Sequence, residues 1–271
     1  MVKAGVFLLA RMHPALAGSQ LWLYIVTLTG LVTMIYAAYF ALLKYDLKGV
    51  LAFSTVSHLG MITMLFGLDS KMAVAAGLFH ILNHAMFKAT LFMSAGIVDH
   101  ETGSRDIRKL SGLRRSMPMT AALAGLAAAS MAGVPLLNGF ISKEMMLTET
   151  LETGILGGLA WLIPVLATLG SVLSVAYSLR YVRNVFFGPE AQELPKTPHE
   201  APFLMRLPML LLVALCVVIG LLPALTALSA LAPLHELLTQ QMAARLITES
   251  TVAPTPPQPI ETSGTSPAGY L

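Results

Sequence analysis

The sequence predicts an all-α polytopic membrane protein, with about six full transmembrane helices plus a partial one at the N-terminus. Three observations predict it. Of the 271 residues, 56% are apolar and only 11% are charged, against roughly a quarter charged in a soluble domain. Apolar runs of about 20 residues, enough to cross roughly 30 Å of hydrocarbon, recur along the chain. These runs are continuous instead of alternating residue by residue, so they close their backbone hydrogen bonds as helices and not as barrel strands.

The first stretch, MVKAGVFLLAR, is half a span before Arg11 and His13-Pro14 interrupt it. A signal peptide carries its charge ahead of the apolar run, whereas Lys3 sits within this one. The stretch therefore reads as the tail of a helix whose beginning is absent, and the chain as the C-terminal part of a longer protein. Six fuller segments follow, at 20–43, 49–68, 72–98, 117–141, 155–187 and 203–232. Ser19 is placed to cap the first of them and Asp46 to define the start of the second.

The fourth segment changes character at GVPLLNG, which puts Gly133, Pro135 and Gly139 close together. A continuous helix cannot run through them, so a discontinuous helix is expected over 117–147, its freed backbone groups open to ions or water. The segment at 155–187 is longer than a span requires and either tilts or emerges with Arg180 and Arg183. A transmembrane domain over 1–232 would then lead into an amphipathic helix at 233–250. The Pro/Ser/Thr-rich tail, 251–271, is expected to be disordered.

Positive charge orients the spans. If loops alternate sides, Lys44, Lys48, Arg105, Arg108, Lys109, Arg114, Arg115, Arg180, Arg183, Lys196 and Arg206 share one side, and only Arg11, Lys71 and Arg245 fall on the other. That bias places the loops near 44–48, 99–116 and 188–206 in the cytoplasm of a cell (inner) membrane protein. It also supports the helix count, since one span more or fewer in the middle would divide the basic loops.

Lys3, Lys88 and Lys143 escape this tally because they lie inside or beside apolar segments. In LFHILNHAMFKATLF, steps of four residues bring His80, His84 and Lys88 within about 80° of one another, a polar ladder roughly 12 Å tall on one helix face. A charged group at mid-bilayer costs about 2.5–3.5 kcal/mol even on lenient scales, so such a face needs a role or a partner. Histidine exchanges protons near neutral pH, and a proton or ion relay is the expected role, with a structural polar network as the alternative. His58, surrounded by Ser54, Thr55 and Ser57 in the preceding span, either extends the relay sideways or bonds a backbone carbonyl. Lys143 and Glu144 follow the break. They are a terminal exchange site if a second half-helix continues through Leu147, and interface charges if it does not. Lys3 reads as a further relay lysine.

Other chemistries lack their signatures. There is no phosphate loop, dinucleotide-binding glycine fingerprint, CxxC pair, haem-attachment sequence or HExxH, so no cofactor and no metal are expected. The single cysteine, Cys216, lies in an apolar run. No basic patch is interleaved with aromatics, so no nucleic-acid partner is expected.

The stretches MVKAGVFLLAR, DLKGVLAFSTVSHLGM, LFHILNHAMFKATLFMSAG and PLLNGFISKE resemble the proton-translocating membrane subunits shared by respiratory complex I and the Mrp multisubunit sodium/proton antiporters. The loop VDHETGSRDIRKLSGLRR followed by SMAGVPLLNGFISKEM is most similar to the large A-type component of the Mrp branch. The resemblance implies a central relay through Lys3, His80, His84 and Lys88, with Lys143 and Glu144 near an exit half-channel in a broken helix. It also implies a fold of two inverted repeats, of which this chain holds roughly the second half. The implied partners are other antiporter membrane subunits, the lipid bilayer, protons and sodium ions, and a polypeptide supplying the missing N-terminal helices. The sequence departs from the family's pattern at Leu136, where a second proline usually follows Pro135, and at Gly49, where a second basic residue often follows Lys48. Two further readings stay open: a proton-moving subunit of a redox-driven complex, and a non-conducting structural half-subunit.

Overall fold

A computed structural model describes residues 3–153, 157–191 and 194–222. The amphipathic helix expected at 233–250, the tail at 251–271 and the end of the last apolar segment lie outside the described residues. Within them the protein is all α: α1 Ala4–Leu16, α2 Gln20–Leu43, α3 Leu47–Gly67, α4 Lys71–Thr102, α5 Pro118–Ala132, α6 Asn138–Glu152, α7 Leu162–Phe186 and α8 Phe203–Leu221. A single 3-10 turn, Gly157–Leu159, precedes α7, and the described residues contain no sheet, only an isolated bridge between Asp46 and Asp106. Five helices, α2, α3, α4, α7 and α8, are long and apolar enough to cross a membrane, whereas α1 and α5 are apolar but shorter. This is a polytopic membrane protein.

The helix starts follow from local chemistry. The Ser19 hydroxyl accepts the Trp22 N–H at 3.3 Å, and the Asp46 carboxylate accepts the Gly49 N–H at 2.6 Å, so both expected caps are in place. Helix α4 runs one turn past the expected end at residue 98. It stops where Gly103 turns left-handed (φ 71°) and donates its N–H to the Asp99 carbonyl. Helix α7 starts at Leu162 and not at 155, because the 3-10 turn takes up part of the expected segment.

The expected segment 117–141 holds α5 and only the first four residues of α6, each helix being 15 residues long. Helix α5 ends at Gly133, whose φ of 88° lets its N–H reach the carbonyls of both Ala129 and Ser130. Leu136 adopts φ 72°, a conformation no proline can reach, so a proline at 136 would force a different path here. Helix α6 then starts hard against α5: a Cβ added at Gly139 would stand 1.8 Å from the Ser130 carbonyl oxygen.

Helix α4 is the central post, packed on α3, α5, α6 and α8, while α2 and α7 close the α3 side. Helices α2 and α3 meet backbone to backbone. A Cβ at Gly30 would fall 2.2 Å from the Met64 nitrogen, one at Gly60 2.5 Å from the Met34 nitrogen, and one at Gly67 2.4 Å from the Thr27 nitrogen. Small residues permit this approach, the usual means of joining helices that lipid surrounds.

The basic loops gather at one end of the bundle. The Leu47 N–H donates to the Arg105 carbonyl, the Ile107 N–H to Tyr45, the Arg114 N–H to Phe186 and the Lys196 N–H to Thr102. Arg180 reaches from α7 to the carbonyls of Leu42 and Lys44 (2.6 and 2.8 Å), closing the C-terminus of α2. The Tyr45 ring lies against two guanidinium groups, Arg108 at 4.6 Å and Arg180 at 5.3 Å. Glu200 accepts the Met119 and Thr120 N–H groups and so caps α5, an anion at a helix N-terminus.

Candidate functional site

Helices α3 and α4 turn their polar faces toward each other beside the α5–α6 break. His58, His80, His84 and Lys88 are all at most 4% exposed. Each sits where helical spacing places it, three on one face of α4 and one on the facing side of α3. The His58 and His80 rings stack at 5.1 Å between centroids, 11° from parallel, and His58 Nδ1 lies 2.9 Å from His80 Nε2. His84 stands 5.5 Å from His58 and 6.2 Å from His80, with Phe87 within 5.4–6.1 Å of all three rings.

Ser142 Oγ of α6 lies 2.9 Å from His80 Nδ1 and 3.2 Å from the Gly139 carbonyl. In the tautomer in which its proton goes to the carbonyl, Ser142 accepts His80 Nδ1–H. His80 Nε2 then carries a lone pair and accepts from His58 Nδ1–H. That leaves His58 Nε2 as an acceptor, and among the described residues neither it nor either ring nitrogen of His84, one of them a donor and one an acceptor, has a hydrogen-bond partner.

The lysines are held by oxygens and not by carboxylates. Lys88 Nζ donates to the Ser54 hydroxyl and, at 3.4 Å, to the Leu51 carbonyl. Lys143 Nζ donates to the Ala132 carbonyl at 2.9 Å and the Ser174 hydroxyl at 3.1 Å. Ala132 is the last residue of α5, where a helix leaves carbonyls unsatisfied, so the break supplies this ligand directly. Lys3, half-buried at the start of α1, donates to the Ile81 carbonyl at 3.2 Å, one residue along α4 from His80. Glu144, by contrast, lies on the exposed side of α6, turned away from the inward Lys143. Of the seven residues singled out in the sequence, His80, His84 and Lys88 lie on α4, Lys3 and His58 bond to it, Lys143 bonds to α5 and α7, and Glu144 is exposed.

Sequence reading placed Asn83 near the ladder but did not single out Asn138 or Ser130. Asn83 Nδ2 donates to the Asn138 carbonyl at 3.0 Å, Asn138 Nδ2 donates back to Asn83 Oδ1 at 2.9 Å, and Ser130 donates to Asn138 Oδ1. This knot ties α4 and α5 to the first residue of α6. Asn138 inside an apolar stretch was the available signal.

The family model described as "NADH:quinone oxidoreductase/Mrp antiporter, TM" matches residues 1–174. The chain belongs to this family. Its relatives include the A/B component of a probable K(+)/H(+) antiporter of Rhizobium meliloti (strain 1021), 55% identical over 226 residues, 83% of this chain and 23% of that protein. The A1 component of a Na(+)/H(+) antiporter of Staphylococcus aureus (strain JH9) is 43% identical over 252 residues, 86% of this chain and 32% of that protein. This family member thus spans less than a third of either relative. Among solved structures, the archaeal membrane-bound sulfane sulfur reductase, a respiratory membrane complex, aligns with a TM-score of 0.73 at 27% identity, over 89% of this chain and 46% of that one. The NADH:quinone oxidoreductase/Mrp antiporter fold is therefore shared by chains with both antiport and respiratory names.

Proposed function

We propose that this chain moves protons through a Lys/His relay within the membrane part of a monovalent cation/proton antiporter assembly, exchanging them for sodium or potassium. The observation that carries the reading is the His58–His80–Ser142 line, buried between α3, α4 and α6 and flanked by two buried lysines. A proton arriving at His58 Nε2 releases His58 Nδ1–H to His80 Nε2, His80 in turn releases Nδ1–H to Ser142 Oγ, and the Ser142 hydroxyl proton leaves the Gly139 carbonyl for water on the Lys143 side. Water bridging the unpaired nitrogens of His58 and His84 would join Lys88 to this line. Lys143, on the α6 side, receives what the histidines pass on. Lys3 and Glu144 form the outer members, Lys3 beside His80 on α4 and Glu144 on the exposed side of α6.

On this reading α5 and α6 are the two halves of one broken span, and the lysine at the break sits where unwound backbone can hold an ion in transit. The antiport assignment over a redox-driven one rests on the names of the relatives, both of them antiporter components. The buried ladder favours conduction over a purely structural role, because buried lysines are costly without one.

The test is cation-dependent proton flux in everted membrane vesicles carrying the chain with its cognate membrane subunits. Lys88→Ala and Lys143→Ala each abolish the flux while the assembly still forms. Native flux in both variants overturns the proposal, and comparing sodium with potassium identifies the exchanged cation.

A further inference from the structure

Helix α6 carries Ser142, Lys143 and Glu144 in succession, and successive side chains on a helix point about 100° apart. Turning α6 by one residue about its axis would bring Lys143 to His80 and Glu144 to the Ala132 carbonyl, so the rotation of this one helix decides which group meets which. Its own N-terminus does not set that rotation. Leu137, the residue before α6, provides no side-chain cap, although the first amides of a helix have no partner within it. The register has to come from the helices around α6.

The fully buried amide pair Asn83–Asn138 supplies it. Asn83 Nδ2 donates to the Asn138 carbonyl at 3.0 Å and Asn138 Nδ2 donates back to Asn83 Oδ1 at 2.9 Å, and two bonds of opposite sense fix a direction as well as a distance. The Ser130 hydroxyl of α5 donates to Asn138 Oδ1, and the Cys216 thiol of α8 hydrogen-bonds Asn138 and Ser130. Three helices thus hold one side chain at the start of α6. Asn83 stands three residues beyond His80, and Asn138 four residues before Ser142, so this rung lies one helical turn from the His80–Ser142 contact on both helices. A primary amide donates and accepts without changing charge. The rung therefore keeps its geometry whether the histidines and lysines beside it are protonated or not, which a carboxylate in its place would not do.

We propose that Asn83 and Asn138 are positioning residues that fix the rotation of α6 against α4, holding Ser142 on His80 and Lys143 on the Ala132 carbonyl in every charge state of the site. The inference rests on the relay reading and adds to it the neutral device that keeps its parts aligned.

The experiment compares Asn83→Leu, Asn138→Leu and the double variant with Ser142→Ala and Lys88→Ala, in vesicles carrying the chain with its cognate membrane subunits. Each single variant strands a buried amide and lowers thermal stability, whereas the double variant, with two apolar groups of similar shape, recovers much of it. Cation-dependent proton flux per assembled complex nevertheless stays severalfold below native in the double variant, and the nitrogen-15 resonances of the His80 ring move as they do in Ser142→Ala. Native flux in the double variant beside a silent Lys88→Ala makes the amides a packing device, overturns the proposal and leaves the relay standing. Reduced flux with unmoved His80 resonances overturns it as well. Native flux in Lys88→Ala refutes the relay, and the role given to the amides with it. Should the double variant fail to assemble, Asn83→Ser decides by the same resonances: an unmoved His80 ring ends the proposal.

Discussion

His58 of α3 and His80 of α4 share one hydrogen bond, Nδ1 to Nε2 at 2.9 Å, between rings stacked 11° from parallel. Two residues that pass a single proton act as one unit, and units of this kind are strongly non-additive on mutation. His58→Gln and His80→Gln should each cut cation-dependent proton flux sharply, and the double variant should lose no more than the worse single one. A double variant that loses the product of both effects would show two separate roles.

Gly139 tests whether the α5–α6 contact is as tight as the geometry implies. With a Cβ only 1.8 Å from the Ser130 carbonyl oxygen, Gly139→Ala must push α6 off α5, at a cost of about 1–3 kcal/mol or more. Gly125→Ala, in the middle of α5 with nothing within 4 Å of its Cβ position, is the control. Thermal unfolding in detergent should drop clearly for the first and stay near native for the second.

Gly133 couples backbone to site. Its φ of 88° costs a non-glycine residue about 1–2 kcal/mol, and its added Cβ would lie 2.9 Å from Lys143 Cδ. Gly133→Ala should therefore lower flux per assembled complex by displacing the ammonium from the Ala132 carbonyl. Unchanged flux would mean that this contact is dispensable.

Outside the membrane, Arg108 holds the Asp106 carboxyl down to about 2, first through its side-chain hydrogen bonds and then through its backbone N–H. A carboxyl whose folded value lies below its ordinary 3.8 contributes stability above that value and loses it as pH falls toward 2. The 105–108 turn should accordingly become more open to pepsin between about pH 4 and pH 2. Asp106→Asn should remove that pH dependence, and an identical acid profile in the variant would discount the pair.

Much of this architecture could be read from residue spacing. The i, i+4 recurrence of His80, His84 and Lys88 sets them on one face whatever packs there, and Ser19 and Asp46 cap their helices through bonds only three residues long. The end of α5 at Gly133 was legible because Gly133, Pro135 and Gly139 are local backbone instructions. What was hidden is tertiary. Ser142 meets His80 from 62 residues away and Ser174 meets Lys143 from 31 away, and no pattern within one helix encodes either meeting. Glu144 shows the converse. Adjacency in sequence to Lys143 tied the two together, but consecutive residues on a helix point about 100° apart.

The glycine contacts between α2 and α3 bear on leakage. Where two backbones touch at Gly30, Gly60 and Gly67, no thread of water can pass between them, and the pair behaves as a single stiff plank. On the relay reading, any charge carried on the His58 side of α3 faces a closed seam toward α2. Widening that seam by even a methyl group would force the two backbones apart.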